Sequence, residues 1–171
     1  ILKDAVNNLR DSKGRIFVFA AGNDRQNHGN SNLSYLTNNP YVIAVASLNH
    51  QLKYSSYSSA GSNILISAFG GEKYYEAPTI FTTFLNGKAK YEDELNGQTG
   101  PITVDEDVNK DYTFAMNGTS AAAPMVSGAI ALVLDVCPNL TYRDIKWLIA
   151  KTAKKIDKNN DLWVQNSAKL W

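Results

Sequence analysis

The sequence predicts an α/β domain built around a parallel β-sheet. Residues 16–21, 41–46 and 64–66 are short runs that are almost entirely apolar. Such runs are typical of parallel strands, which helices cover on both faces of the sheet. A longer segment, 121–137, is apolar at 13 of its 17 positions and on every side of a helix, so we expect it in the middle of the domain. Strands that alternate with helices in this way indicate the α/β class.

The first elements are separated by residues that end helices and strands. Apolar residues recur at helical spacing over 2–10, which predicts an amphipathic helix that ends near Gly14. Gly22 ends the first strand, and the Asn- and Ser-rich residues 23–40 are predicted to form a surface loop.

Two further helices are predicted in the last third of the chain. The apolar one runs over 119–136 and ends before Pro138. Thr141 and Asp144 then form a capping-box pattern, in which each side chain accepts the other residue's backbone N–H. Apolar residues follow on one face and predict a surface-packed helix: Ile145, Leu148, Ile149 and Ile156.

Residues 72–111 differ in charge from the rest of the chain. They hold nine Asp or Glu against four Lys, a net charge of −5, while the remaining residues carry +6. Glycines and apolar patches such as residues 80–85 favour hairpins there. We interpret this stretch as an acidic excursion from a single domain that spans residues 1–171.

Length and composition narrow the function classes. The 171 residues are 44% hydrophobic and 19% charged, which suits one domain with its own core. A net charge of +1 creates no field directed at nucleic acid or a membrane surface, and no run of 18 apolar residues predicts a membrane span. The single cysteine, Cys137, excludes a disulfide framework and a cysteine-based zinc site. The chain begins at Ile1 without a signal-like apolar region, so we expect it to start inside a longer protein.

The segment 117–124, Asn-Gly-Thr-Ser-Ala-Ala-Ala-Pro, carries the first chemical signal. It places Ser120 where a loop enters the apolar helix, beside free backbone N–H groups and a partial positive charge. Gly118 allows unusual dihedral angles or a close approach of another segment. Pro124 has no N–H for the carbonyl of Ser120. These features suit an anion forming beside the serine oxygen, but local physics alone favours the simpler interpretation of a helix start capped by Thr119 or Ser120.

Asn23 carries the second signal, because it follows Gly22 at the end of a buried strand. Ligands of open α/β sheets bind at the carboxyl ends of the strands. A side-chain amide there can donate a hydrogen bond to an oxyanion. An ordinary Gly-Asn turn is the alternative interpretation.

Together these motifs resemble a known family. Residues 118–128, Gly-Thr-Ser-Ala-Ala-Ala-Pro-Met-Val-Ser-Gly, are similar to the nucleophile signature of the subtilisin-like serine proteases, or subtilases. Residues 21–23, Ala-Gly-Asn, resemble the strand end that carries the family's oxyanion asparagine. The resemblance covers nearly the whole chain and is weakest over 72–111. It implies a three-layer, parallel-sheet, subtilisin-like fold, of which this chain is the C-terminal portion.

The resemblance also implies roles for individual residues. Ser120 would be the nucleophile of a serine endopeptidase, and Asn23 would donate to the oxyanion together with the backbone N–H of Ser120. Gly22, Gly118 and Thr119 would border the bound polypeptide substrate. The reaction is acyl transfer, and its chemistry requires no cofactor.

The catalytic triad of the family combines the serine with an aspartate and a histidine, and these two residues are missing from the expected places. In the family's order Asp and His precede the serine, yet no Asp-Thr/Ser-Gly or His-Gly-Thr motif occurs, and only 22 residues precede Asn23. His28 and His50 are predicted to be surface residues. A serine without a base is a weak nucleophile. We therefore expect the isolated chain to be inactive, with an upstream part of its own domain supplying Asp and His as a partner.

Two segments resemble the kexin-like branch, which cuts after paired basic residues: 35–41 and 140–145. The loop after Asn23 holds only one acidic residue, Asp24, and the segment 57–59, Tyr-Ser-Ser, has a serine where the branch has glutamate. These departures argue against carrying over the dibasic preference or the calcium site of that branch.

One segment is a candidate calcium site. Asp105, Asp107, Asn109 and Asp111 alternate with other residues along a polar stretch, as oxygen ligands do in calcium-binding loops. The stretch lacks the glycine and the closing glutamate of an EF-hand loop, so calcium as a structural ion competes with a plain solvated loop.

The sequence therefore predicts part of a subtilase-like serine endopeptidase that is secreted or located at the cell surface, as most of the family is. Two other hypotheses remain open. One is a non-catalytic binding or surface module on a decayed protease scaffold. The other is a lone α/β domain in which Ser120 only caps a helix.

Overall fold

A sheet of three parallel strands forms the centre of the fold. The computed structural model describes residues 1–72, 78–83, 112–161 and 163. The strands are β1 (Phe17–Ala20), β2 (Val42–Leu48) and β3 (Ile64–Phe69), in the order β1-β2-β3. All three predicted strands are confirmed. β2 and β3 continue past their apolar runs because backbone pairing extends to Leu48 and Phe69.

The register brings the ends of the three strands to one edge of the sheet. Ala20 pairs with Val45 of β2, and Leu48 pairs with Phe69 of β3. The residues that follow β1 and β3 therefore emerge on the same side. This edge is where ligands of open parallel sheets bind.

A long helix, α2 (Thr119–Val136), packs on the sheet and matches the predicted bounds. The shared core combines Ile43 and Val45 of β2 with residues from one face of α2 and with Ile145 of the helix α3 (Tyr142–Thr152). Burying each large aliphatic side chain of this kind stabilises the fold by about 1.5–3 kcal/mol. The α2 residues of this core are Ala122, Ala123, Val126 and Ile130.

The outer face of α2 departs from the prediction. An all-round apolar composition predicts burial on every side, yet Leu132 is 72% and Val136 79% exposed. The sheet covers one face of the helix and no described residue covers the other. By length and composition α2 would suffice to cross a membrane, although the chain has no run of 18 apolar residues and its sequence therefore predicts no span. One such helix is weak evidence of a membrane span, because a core helix that packs on a sheet meets the same criteria of length and composition.

The shorter helices follow the predicted pattern with small differences. The helix α1 (Leu2–Asn8) ends before Gly14 because the residues from Arg10 to Ser12 have positive φ angles. The capping box of α3 is confirmed: the Thr141 N–H donates to Asp144 Oδ2 at 2.8 Å, and the Asp144 N–H donates to Thr141 Oγ1 at 3.2 Å. Ile156 lies beyond the end of α3, so its place on the helix face was wrong.

The described part of the acidic excursion contains one strand. β4 (Ile80–Thr83) pairs antiparallel with β5 (Tyr112–Met116) in a separate two-stranded sheet. The apolar patch 80–85, from which hairpins were predicted, does contain an antiparallel strand, whereas its partner β5 was not predicted. Asp105, Asp107 and Asp111 lie outside the described residues.

Candidate functional site

Asn23 lies just beyond the carboxyl end of β1, whose last residue is Ala20. Gly22 before it has a φ angle of +108°, which glycine adopts readily and other residues rarely do. The Gly22 N–H donates to Thr119 Oγ1 at 3.2 Å. The end of β1 is thus bonded directly to the start of α2.

The side chain of Asn23 is oriented by Thr119. Its Oδ1 accepts the Thr119 N–H at 2.9 Å and the Thr119 hydroxyl at 2.8 Å. A backbone N–H only donates, so the oxygen of the amide must face α2 and the Nδ2 group must face the other way. No described residue accepts a hydrogen bond from this Nδ2. A potential donor therefore lies at the edge of the sheet.

Gly118 begins α2 in a conformation that favours glycine, with a φ angle of +121°. A Cβ atom there would lie 3.3 Å from Asn23 Nδ2, so the missing side chain keeps this space open. None of the residues at the start of α2 caps the helix with its own side chain, and the Thr119 N–H is instead bound by Asn23 Oδ1. The alternative that Thr119 or Ser120 merely caps the helix was therefore wrong, since the Thr119 hydroxyl bonds Asn23 and Gly22 instead.

Ser120 is exposed in the first turn of α2. It follows Thr119 directly, and backbone geometry then limits the distance from its hydroxyl to the Asn23 amide to about 10 Å. Its own N–H has no acceptor among the described residues. Pro124 lies inside α2, so the Ser120 carbonyl lacks its usual helical donor, as the sequence indicates. An exposed hydroxyl beside two free N–H donors at a helix N-terminus is suited to a developing oxyanion.

The two histidines lie on the surface, as predicted. His28 follows a 3₁₀ turn with a φ angle of +60°, and His50 is in a turn after β2. Neither bonds Ser120 within the part of the chain that the structure describes. The described residues also contain no cluster of three His, Cys, Asp or Glu side chains able to hold a metal ion.

Residues 57–59 support this site, a role that sequence reasoning did not assign to them. Ser59 donates its N–H to the Gly22 carbonyl at 2.9 Å and accepts the Asp24 N–H on Oγ at 3.1 Å. Tyr57, only 3% exposed, accepts the Gly118 N–H on its phenol oxygen at 2.8 Å. The available signal was the run of tyrosine and serine at 54–59 between two buried strands, because polar groups that become buried there must find partners.

Comparison with known proteins places this geometry in context. The chain is 34% identical over 165 residues to the "Aeromonas extracellular serine protease" of Aeromonas sobria, with 83% of this chain and 26% of that protein covered. It is 31% identical over 152 residues to "Kexin" of Saccharomyces cerevisiae, with 89% of this chain and 16% of that protein covered. The chain thus spans about a quarter or less of these relatives.

A solved structure shares the fold. The serine protease of Aeromonas sobria, in complex with a chaperone, superposes with a TM-score of 0.78 at 29% identity. The match covers 98% of this chain and 32% of that one. It confirms the predicted subtilisin-like α/β fold, of which this chain holds a part, and the kexin match agrees with the resemblance to that branch. The model of the family described as the subtilase family matches residues 2–167, so the chain belongs to the subtilase family.

Proposed function

We propose that this chain is part of the catalytic domain of a serine endopeptidase, with Ser120 as its nucleophile. The observation that carries the proposal is the orientation of Asn23. Because Thr119 occupies its Oδ1, the Nδ2 group is turned outward beside an exposed serine. Family membership supports the same conclusion.

The proposed reaction is acyl transfer to a serine. Ser120 Oγ attacks the peptide carbonyl carbon and gives up its proton to a base, while the carbonyl oxygen gains a negative charge. Asn23 Nδ2 and the Ser120 N–H donate hydrogen bonds to that oxygen. The tetrahedral intermediate collapses, the amine leaves with a proton from the base, and water later releases the acid and restores the serine.

The donors are organised before the substrate binds, which is what such catalysis requires. Two hydrogen bonds to Oδ1 hold the Asn23 amide, and the helical backbone holds the Ser120 N–H. The partial positive charge at the start of α2 favours the same anion. Gly22, Gly118 and Thr119 would border the bound polypeptide.

We propose that polypeptide outside this sequence, from the same domain, supplies the histidine and aspartate. The apolar surface between β1 and α2 supports this partner. It forms an open groove of about 500 Å³ lined by Phe17 and Phe19 of β1 and by Ile130 and Leu134 of α2. An apolar groove that is open to solvent is typical of faces that other polypeptide covers.

We propose that the protein acts outside the cell or at its surface. The name of the Aeromonas sobria relative, an extracellular serine protease, supports this location.

The test of the proposed function uses the full-length protein. Wild-type and Ser120→Ala proteins are compared for peptide hydrolysis and for covalent labelling by a fluorophosphonate. We expect the wild type to cleave and to be labelled, and the variant to do neither. A folded wild-type protein that does neither would instead favour a binding module on a decayed protease scaffold.

A further inference from the structure

We propose that Tyr57 is a positioning residue that sets the spacing between the Asn23 loop and the turn before Ser120. The inference rests on the proposed function, since it concerns the two donors assigned to the oxyanion. Tyr57 touches neither a substrate nor the serine itself. It would act through the backbone segments that carry Asn23 and Ser120.

The phenol oxygen of Tyr57 binds the turn that leads into α2. It accepts the Gly118 N–H at 2.8 Å, two residues before Ser120. It also lies 2.7 Å from the Gly70 carbonyl and 3.0 Å from the Gly71 carbonyl, directly after β3. The Gly118 N–H also donates directly to the Gly70 carbonyl at 2.9 Å, so the phenol oxygen adds a second link between the start of α2 and the end of β3.

The backbone around Tyr57 binds the other half of the site. The Tyr57 carbonyl accepts the Arg25 N–H at 3.1 Å, and Ser59 bonds both Gly22 and Asp24. The segment 57–59 thus holds residues on each side of Asn23. Because the same segment carries the phenol, a shift of Tyr57 would move the two donors relative to each other.

The phenol oxygen has four polar neighbours at hydrogen-bond distance. It accepts the Gly118 N–H, donates its single proton to the Gly70 or the Gly71 carbonyl, and lies 2.9 Å from Ser47 Oγ, where either hydroxyl can be the donor. Ser55 lies 2.8 Å from Ser47 and donates to the Gly71 carbonyl at 2.7 Å. Ser47 and Ser55 are completely buried. In a site this deeply buried, a polar group that loses its partner is costly, which makes the arrangement specific.

Ser55 provides a matched control for Tyr57. Its hydroxyl belongs to the same buried cluster and bonds the same β3 end, but it contacts neither Gly118 nor the Asn23 loop. Tyr57→Phe and Ser55→Ala both remove one buried hydroxyl. A purely structural role predicts the same loss of thermal stability and the same kinetics for both variants.

The test measures kcat and KM of the full-length protein with a peptide substrate, normalised by fluorophosphonate titration of Ser120. We expect Tyr57→Phe to lower kcat about tenfold or more, with KM changed less than about twofold, because the misplaced donors act mainly in the transition state. Ser55→Ala should keep kcat within about twofold of wild type. In an Asn23→Ala background the effect of Tyr57→Phe should shrink, because one of the two donors it positions is already gone.

Several outcomes would overturn the inference. One is a kcat of Tyr57→Phe equal to that of Ser55→Ala. Another is a double variant in which the fold-reductions of kcat caused by Tyr57→Phe and by Asn23→Ala multiply in full. If Tyr57→Phe yields no folded protein, 3-fluorotyrosine at position 57 keeps the hydroxyl but weakens it as an acceptor. A kcat below that of the wild type then supports the inference, and a kcat equal to that of the wild type overturns it. If the Ser120→Ala variant hydrolysed peptides as fast as the wild type, the proposed function would be overturned, and this inference with it.

Discussion

The amide oxygen of Asn23 accepts both the backbone N–H and the hydroxyl of Thr119, at 2.9 and 2.8 Å. The two residues are 96 positions apart in the sequence. Their pairing joins the end of β1 to the start of α2 and turns Asn23 Nδ2 away from the helix. The candidate oxyanion donor is therefore held by the residue next to the candidate nucleophile.

In the full-length protein, Asn23→Ala should lower kcat far more than it raises KM. The oxyanion exists mainly in the transition state, and loss of one such donor typically lowers kcat by about 10²–10³-fold. Steady-state kinetics with a peptide substrate would check this. A change confined to KM would mean that Asn23 binds the ground-state substrate instead.

Thr119→Val should also reduce kcat, by roughly tenfold. The valine fills the same buried space but removes one bond to Asn23 Oδ1 and the acceptor of the Gly22 N–H. Thr119→Ser keeps the hydroxyl and is the matched control. Equal kcat values for the valine and serine variants would show that the Thr119 hydroxyl does not orient Asn23.

The stability contributed by the α3 capping box should depend on pH. Hydrogen bonds from the Thr141 hydroxyl and then the Thr141 N–H lower the pKa of the Asp144 carboxyl from its ordinary value of 3.8. A lowered folded-state pKa stabilises the fold above the ordinary value, and this contribution is lost as pH falls through the lowered pKa. Urea unfolding of wild type and Asp144→Ala should therefore differ at pH 7 and converge in acid. Asp161→Ala, at an exposed turn, serves as the control, and a difference independent of pH would contradict the prediction.

Much of this fold could be predicted because its signals are local. The three apolar runs, the entry into α2 and the Thr141–Asp144 pattern each depend on residues that are neighbours in the sequence. The exposure of Leu132 and Val136 could not be predicted in this way, because composition records what a helix is able to bury and not what packs on it.

The candidate site likewise has features that could be predicted from the sequence and features that could not. Asn23 and Ser120 could be brought together from the strand-end rule and the buried helix. The direction of the Asn23 amide could not, because it depends on Thr119 in a distant turn. Tyr57 was missed for the same reason, since its phenol contacts Gly118, 61 positions away.

The acidic stretch offers a test with calcium. Asp105, Asp107 and Asp111 form an incomplete ligand pattern, so we expect the melting temperature of the full-length protein to change equally in wild type and Asp107→Ala when calcium or a chelator is added. A ligand of the native state raises the melting temperature by mass action. A calcium-dependent rise that disappears in Asp107→Ala would assign a structural calcium site to this segment.

The 171-residue chain by itself should not hydrolyse peptides or react rapidly with a fluorophosphonate. Its serine hydroxyl has no base among the described residues, and an unassisted hydroxyl is a weak nucleophile. Addition of the preceding polypeptide of the same protein, fused or as a separate fragment, should restore labelling at Ser120, because it would supply the base and cover the apolar groove between β1 and α2. Ser120→Ala in the reconstituted protein is the control and should remain unlabelled. Rapid labelling of Ser120 in the isolated chain would show that a base is present within these 171 residues, and would make the partner segment unnecessary for the first chemical step.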